Sequence, residues 1–172
     1  MTDNDDMNAD DIEAEARATF ARYLRQRELI QAGEAEWASL ADFFVADAVY
    51  SDPAWGRTEG ADEIATFMRE SMTGLGEWRF PEAWTMYDGR RVVSAFDQII
   101  PGADGTEYRQ CGISVLYYAG DGKFCYQMDQ MNMAHINEDI GSSGWKPEGG
   151  FNFPPREPNR DYSLGNAAKY LD

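Results

Sequence analysis

The segment FVADAVYSDPAWG (residues 44–56), with GADEIATF (residues 60–67) after it, decides the fold prediction for this chain of 172 residues. Within it, residues 48–53 are typical of a short extended piece, which the proline at its end stops. Glycines and a tryptophan then mark a loop, and the apolar spacing that follows predicts a helix over residues 61–72. An extended piece therefore leads through a loop into a helix.

Upstream of this segment the sequence predicts helices, and downstream it predicts strands. Apolar residues recur at intervals of three and four over residues 11–31 and 35–44. After Gly74 and Gly76 the period becomes that of strands, which are predicted at about residues 77–87, 91–100, 108–118 and 124–136. Helices followed by an antiparallel meander indicate an α+β fold, with the helices on one face of a sheet.

Charge and composition exclude several classes of partner. The chain has 31 acidic and 15 basic residues, a formal net charge of −16 and a pI near 4.3. Nucleic acids and anionic membrane surfaces require clustered lysine and arginine, so neither is expected as a partner. No apolar stretch approaches the ~18 residues of a membrane span, and the acidic start does not resemble a signal peptide, so we expect a cytoplasmic protein.

Cysteine and histidine usage gives no metal or nucleotide motif. Cys111 and Cys125 fall on neighbouring predicted strands but far out of register, so we expect free thiols. The single histidine, His135, has no nearby cysteine with which to form a zinc motif. No phosphate-binding glycine loop occurs, and we expect a protein that uses neither a metal nor a cofactor.

The predicted organisation is one domain with two appendages. We expect a flexible acidic lead-in at residues 1–11, the domain at residues 12–140, and a strap rich in glycine, proline and aromatic residues at 141–172. One helical turn is predicted near residues 166–171, and the strap's aromatic side chains are expected to close a pocket mouth, in the same chain or in a partner. Because the strands are apolar on both faces, a homodimer through the sheet face is also expected.

Three carboxylates inside apolar stretches are the candidates for chemistry: Asp52, Asp97 and Asp129. A buried carboxylate costs several kcal/mol unless it is paired or protonated, so each needs a structural partner or a catalytic role. A turn or cap, an exposed strand face and an interface ion pair are their respective structural explanations. Arg109, at the start of a strand, is the candidate charge partner.

Residues 44–67 and the meander after them resemble the NTF2-like superfamily, in its SnoaL-like and ketosteroid-isomerase-like branch. The resemblance covers residues 12–137. It implies a cone-shaped, strongly curved antiparallel sheet wrapped around N-terminal helices, with a pocket at the open end. Asp52 is similar to the proton-shuttling aspartate of ketosteroid isomerases, and Tyr23 to their oxyanion tyrosine. Their second oxyanion group, an aspartate, falls at about Cys111 here.

A second resemblance, to limonene-epoxide-hydrolase-like enzymes, concerns GKFCYQMD (residues 122–129). It implies that Asp129 is the catalytic aspartate and that Asp97 on the neighbouring strand is its partner. Ala95 occupies the place of an arginine in those enzymes, and Arg109 on the adjacent strand is expected to fill the space. Polyketide cyclases of the group use an inward aspartate on this sheet, which again indicates Asp129.

These expectations combine into an apolar chamber in which Asp129 and Asp97 are held in unlike protonation states. Seven further residues are predicted to contact the substrate: Tyr50, Trp55, Trp84, Phe96, Tyr117, Met131 and His135. The predicted function is a cofactor-independent lyase, isomerase or dehydratase that performs retro-aldol or elimination chemistry on a hydrophobic aromatic or polycyclic small molecule. Epoxide hydrolysis and non-catalytic binding of a small molecule are the alternatives.

Overall fold

The structure, a computed structural model, describes residues 8–171. Most of the predicted acidic lead-in, residues 1–7, lies outside the described residues. Residues 9–11 of it already belong to helix α1 (Ala9–Gln31). The side chain of Asn8 caps this helix by accepting a hydrogen bond from the backbone N–H of Asp11.

The α+β fold predicted from the sequence is confirmed. After α1, a 3-10 helix (Trp37–Phe43) leads into strand β1, and α2 follows a short hairpin. The remaining strands form the predicted meander. The bounds are β1 Phe44–Asp52, β2 Gly56–Glu59, α2 Ala61–Ser71, β3 Glu82–Asp88, β4 Arg91–Pro101, β5 Glu107–Gly120 and β6 Lys123–Met131. Helix α3 (Met133–Ser143) and a second 3-10 helix (Gly165–Tyr170) complete the described chain.

The six strands form one sheet in the order β2-β1-β6-β5-β4-β3. The described strands pair antiparallel with one exception, since β1 and β6 are parallel. In that pair Tyr50 lies opposite Gln127, and Ser51 lies opposite Met128. The next step along both strands therefore brings Asp52 beside Asp129, and side-chain alternation directs both toward the same face.

The last strand is shorter than predicted. It ends at Met131, and residues 133–143 form α3 instead of continuing the sheet. The side chain of Asn132 accepts hydrogen bonds from the backbone N–H groups of Ala134 and His135, and this cap starts the helix. Gly144 ends it at a φ of 67°, a left-handed conformation that favours glycine.

The main core lies between the inner face of the sheet and the helices α1 and α2 with the first 3-10 helix. Its most buried side chains include Phe20, Leu40, Ile64, Leu116 and Phe124. Both cysteines are free thiols, as expected. None of the helices within residues 8–171 has the length and apolar character needed to cross a membrane.

The C-terminal strap has two parts with different positions. Residues 145–154 supply part of the lining of a cavity. The second 3-10 helix packs on the outer face of the sheet at β1 and β6, and there Ala167, Val49 and Cys125 are fully buried. Lys169 and Tyr170 both bind the carboxylate of Asp47. The chain's own tail therefore covers this part of the outer face.

Candidate active site

A cavity of about 610 Å³ lies between the inner face of the sheet and the helices. Small-molecule sites in proteins have volumes of roughly 300–1,000 Å³, so this cavity has the size of one. Its wall is mainly apolar, and its aromatic residues are Tyr23, Trp37, Tyr50, Trp55, Phe67, Trp78, Phe80, Phe96, Trp145, Phe151 and Phe153. The last three belong to the strap, which therefore lines the cavity of its own chain.

Asp129 is the most extensively hydrogen-bonded carboxylate in the cavity wall. Its Oδ2 accepts a hydrogen bond of 2.5 Å from the hydroxyl of Tyr50. Its Oδ1 accepts from the hydroxyl of Ser114 at 2.6 Å and from Nε2 of Gln127 at 3.0 Å. All three partners donate, which is the arrangement that an ionised carboxylate requires.

The network continues from Asp129 into the core. Nε2 of Gln127 also donates to the Tyr50 hydroxyl at 2.9 Å, and the hydroxyl of Tyr23 donates to Oε1 of Gln127 at 3.3 Å. Burial raises the pKa of Tyr23 to about 12 and the pKa of Tyr50 well above its usual range. Both phenols are therefore neutral donors at physiological pH, and Gln127 holds them in one network with Asp129.

Asp52 lies in a different environment at the end of β1. Its Oδ1 accepts hydrogen bonds from the backbone N–H groups of Trp55 at 2.7 Å and Ala54 at 2.8 Å, which fixes the turn that leads to β2. Burial raises the pKa of Asp52 to about 6; the charge of Asp129 also raises it, and the two backbone hydrogen bonds oppose the shift. Asp52 thus changes its charge near neutral pH.

The predicted pairing of Asp97 with Asp129 is wrong. Between β4 and β5, Asp97 lies opposite Cys111 and Ser94 lies opposite Ser114. Between β5 and β6, Ser114 lies opposite Asp129. Strand alternation then puts Asp97 on the outer face and Asp129 on the inner face. Asp97 accepts a hydrogen bond of 3.2 Å from Arg109 in an ion pair in which both side chains are exposed.

Arg109 is accordingly outside the chamber as well, and so are three of the predicted contact residues. Trp84 lies on the outer face and is 48% exposed. Tyr117 packs edge-on against Tyr126 beneath the tail, and His135 is exposed on α3. The other predicted site residues line the cavity, namely Asp129, Asp52, Tyr23, Tyr50, Trp55, Phe96 and Met131.

The sequence did not single out Ser114, Gln98 or Arg27, which also line the cavity. The hairpin turn at residues 120–122 was the signal that could have identified Ser114. When residues of the two strands are paired outward from this turn, Ser114 lies opposite Asp129. Among residues 8–171, no three histidine, cysteine, aspartate or glutamate side chains are grouped so that they could hold a metal ion.

The fold and the cavity define a class of small α+β proteins with an apolar pocket between a sheet and its helices. The family model described as a SnoaL-like domain matches residues 20–127. The chain belongs to the SnoaL-like domain family, and the resemblance noted in the sequence is confirmed. No curated protein matches the sequence.

Solved structures show the same fold. A crystal structure of TerC with polyporic acid is 17% identical, covers 74% of this chain and 98% of its own, and has a TM-score of 0.59. A candidate SnoaL-like polyketide cyclase from Jannaschia sp. CCS1 is 12% identical, with coverages of 84% and 100% and a TM-score of 0.62. Bal32a from a soil-derived mobile gene cassette is 15% identical, with coverages of 74% and 97% and a TM-score of 0.57.

Proposed function

We propose that this protein is a cofactor-independent acid–base enzyme that cleaves a carbon–carbon or carbon–oxygen bond in a hydrophobic aromatic small molecule. The observation that carries the proposal is the pair Asp52 and Asp129, two carboxyl groups in unlike environments in the wall of one apolar cavity. Such a split supplies one base and one acid near neutral pH.

The two carboxyl groups have separate roles in this proposal. Asp129 is the base, because it is the acceptor in three hydrogen bonds. Asp52 is the acid, because its raised pKa keeps part of the population protonated near neutral pH. Tyr50, Ser114 and Gln127 are positioning residues that orient the carboxylate of Asp129.

In the retro-aldol form, Asp129 accepts the proton of a substrate hydroxyl group. The electron pair of that O–H bond forms a carbonyl group, and the adjacent carbon–carbon bond breaks. Its electron pair moves to the neighbouring carbon, where a conjugated carbonyl or aromatic group spreads the charge. Asp52 then donates a proton to that fragment, so the two products together contain every atom of the substrate. Proton transfers of this kind contribute about 10²–10⁴-fold each to the rate.

The two alternatives have less support. Epoxide hydrolysis required Asp97 beside Asp129, and these side chains lie on opposite faces of the sheet. Binding without catalysis would be favoured if both Asp97 and Asp129 faced away from the cavity, whereas Asp129 lines it.

The test uses β-hydroxy ketones that carry two aryl groups, with aldehyde and ketone products followed by liquid chromatography and mass spectrometry. We expect cleavage by the wild type and a rate that is reduced by about 10²-fold or more in Asp129→Asn. Asp97→Asn is the matched control, since it makes the same change on the outer face and should retain full activity. Undiminished activity of Asp129→Asn, or no cleavage above buffer across the series, contradicts the proposal.

A further inference from the structure

The cavity has a second polar region, which the acid–base chemistry does not use. Arg27 on α1 and Gln98 on β4 line it. Among the residues that the structure describes, Arg27 is the only lysine or arginine in the cavity wall. A single cation in the pocket of a chain with a net charge of −16 calls for an explanation.

Most N–H donors of the Arg27 guanidinium form no hydrogen bond to the described chain. Nη2 donates to the backbone carbonyl of Phe80 at 2.8 Å, and the group lies 5.6 Å from the ring centre of Phe96. Within residues 8–171, Arg27 forms no ion pair with an aspartate or a glutamate. A guanidinium carries five N–H donors, so most of them are left for a ligand.

Gln98 is the second, independent observation. Gln98 is 4% exposed and lines the cavity, and no protein group within residues 8–171 pairs with its amide, whose atoms remain accessible from the cavity. The N–H donors and the carbonyl acceptor of this amide are therefore free to pair with a group that occupies the cavity.

Arg27 and Gln98 belong to the same region of the wall. Backbone hydrogen bonds join Asp97 to Pro81 and Ile99 to Arg79, so Phe80 lies opposite Gln98. The carbonyl that holds Arg27 is the one of Phe80. Gln98 is four residues along β4 from Ser94, which shares a row with Ser114 and Asp129. Four strand residues span about 13 Å, roughly the length of a two-ring molecule.

We propose that Arg27 and Gln98 form a subsite for a carboxylate group on the substrate, which makes the substrate class an elongated aromatic acid. The inference rests on the proposed function only in taking this cavity as the substrate site. A carboxylate matches the planar fork of a guanidinium and accepts from the Gln98 amide as well. With its acid group held there, the far end of the molecule reaches Asp52 and Asp129.

The test compares biphenyl-4-carboxylate with its neutral analogue biphenyl-4-carboxamide by isothermal titration calorimetry at pH 7.5, without any turnover. We expect the wild type to bind the acid about tenfold more tightly than the amide, or better, since charge-assisted hydrogen bonds are worth about that factor. Arg27→Met keeps the aliphatic stem and should remove this preference while the amide binds within about twofold of wild type.

Two further variants separate the subsite from other effects. Arg25→Met removes the same charge from an exposed position on the same helix and should leave the preference intact. Asp129→Asn should also retain it, so loss of catalysis and loss of the subsite give different results. Equal binding of acid and amide by the wild type, no binding of the acid at millimolar concentration, or equal weakening of both probes in Arg27→Met would overturn the proposal.

Discussion

Asp52 and Asp129 lie side by side on two parallel strands, and the charge of Asp129 contributes to raising the pKa of Asp52 to about 6. Only the β1–β6 pair of the sheet is parallel among the described strands, and the site is built on it. In this pair the inward residues of the two strands lie opposite each other. Tyr50 lies opposite Gln127, and two residues further along both strands Asp52 lies beside Asp129. The catalytic proposal depends on this juxtaposition.

Tyr50→Phe tests the positioning of Asp129. The change removes the 2.5 Å hydrogen bond to Oδ2 and leaves a ring of nearly the same shape. We expect turnover to fall about ten- to a hundredfold and the melting temperature to fall by a few degrees, because a hydrogen bond to a charged group is worth about 1.5–3 kcal/mol. Steady-state kinetics and thermal melting measure both. Tyr117→Phe, the same change on the outer face, is the control, and equal activity of the two variants would exclude this role for Tyr50.

Asp52→Asn tests the cost of charging Asp52 in the fold. A carboxyl group whose pKa rises from 3.8 in the unfolded chain to about 6 stabilises the fold below pH 4 and loses that contribution as the pH rises through 6. Asparagine carries no charge and keeps the Oδ1 acceptor for Ala54 and Trp55. We therefore expect Asp52→Asn to be more stable than wild type by on the order of 1–3 kcal/mol at pH 7.5, with a smaller difference at pH 4.

Urea unfolding at the two pH values measures this difference, and Asp97→Asn serves as the exposed control. A variant that is less stable than wild type at pH 7.5 would show that Asp52 is charged at little cost, and the acid role would lose its basis.

Phe153→Ala tests the closure of the cavity by the strap. This ring lines the cavity but is 80% exposed and packs edge-on against Phe151 at 4.9 Å. We expect binding of biphenyl-4-carboxamide to weaken about three- to tenfold, because the ligand loses apolar contact, while stability stays within about 0.5 kcal/mol. The control, Tyr162→Ala, changes an exposed aromatic residue of the same tail that is away from the cavity. If both variants bind like wild type, the strap does not close over the ligand.

The homodimer through the sheet face stays a prediction. The tail covers the outer face at β1 and β6, but on β3 the side chains of Trp84 and Met86 remain 48% and 64% exposed. We expect a dimer in sedimentation equilibrium and its dissociation by Met86→Lys, since a buried lysine at an interface is costly. Ala134→Lys, on the exposed side of α3, should leave the dimer intact. A monomeric wild type at micromolar concentration contradicts this prediction.

The sequence predicted the order of elements well, because period and turn residues report it directly. It did not predict which face each strand turns inward. In β4 and β5 apolar residues occupy both faces, as in Val92-Val93 and Ile113–Leu116, so alternation gives no direction. A shift of one residue exchanges the faces, and this is why Asp97 and Arg109 were placed in the chamber. The resemblance around residues 122–129 implied an inward position for both Asp129 and Asp97, and of these two only Asp129 lines the cavity.

A pH titration of the aspartate side-chain carboxyl resonances by ¹³C NMR, assigned with Asp52→Asn and Asp129→Asn, measures the coupling of Asp52 to Asp129 directly. It needs no substrate. We expect Asp52 to titrate with a pKa of about 6 in the wild type and with a lower pKa in Asp129→Asn, because the neighbouring charge is gone. An Asp52 pKa of about 4 or below in the wild type, unchanged in Asp129→Asn, would contradict the pairing of the two carboxyl groups.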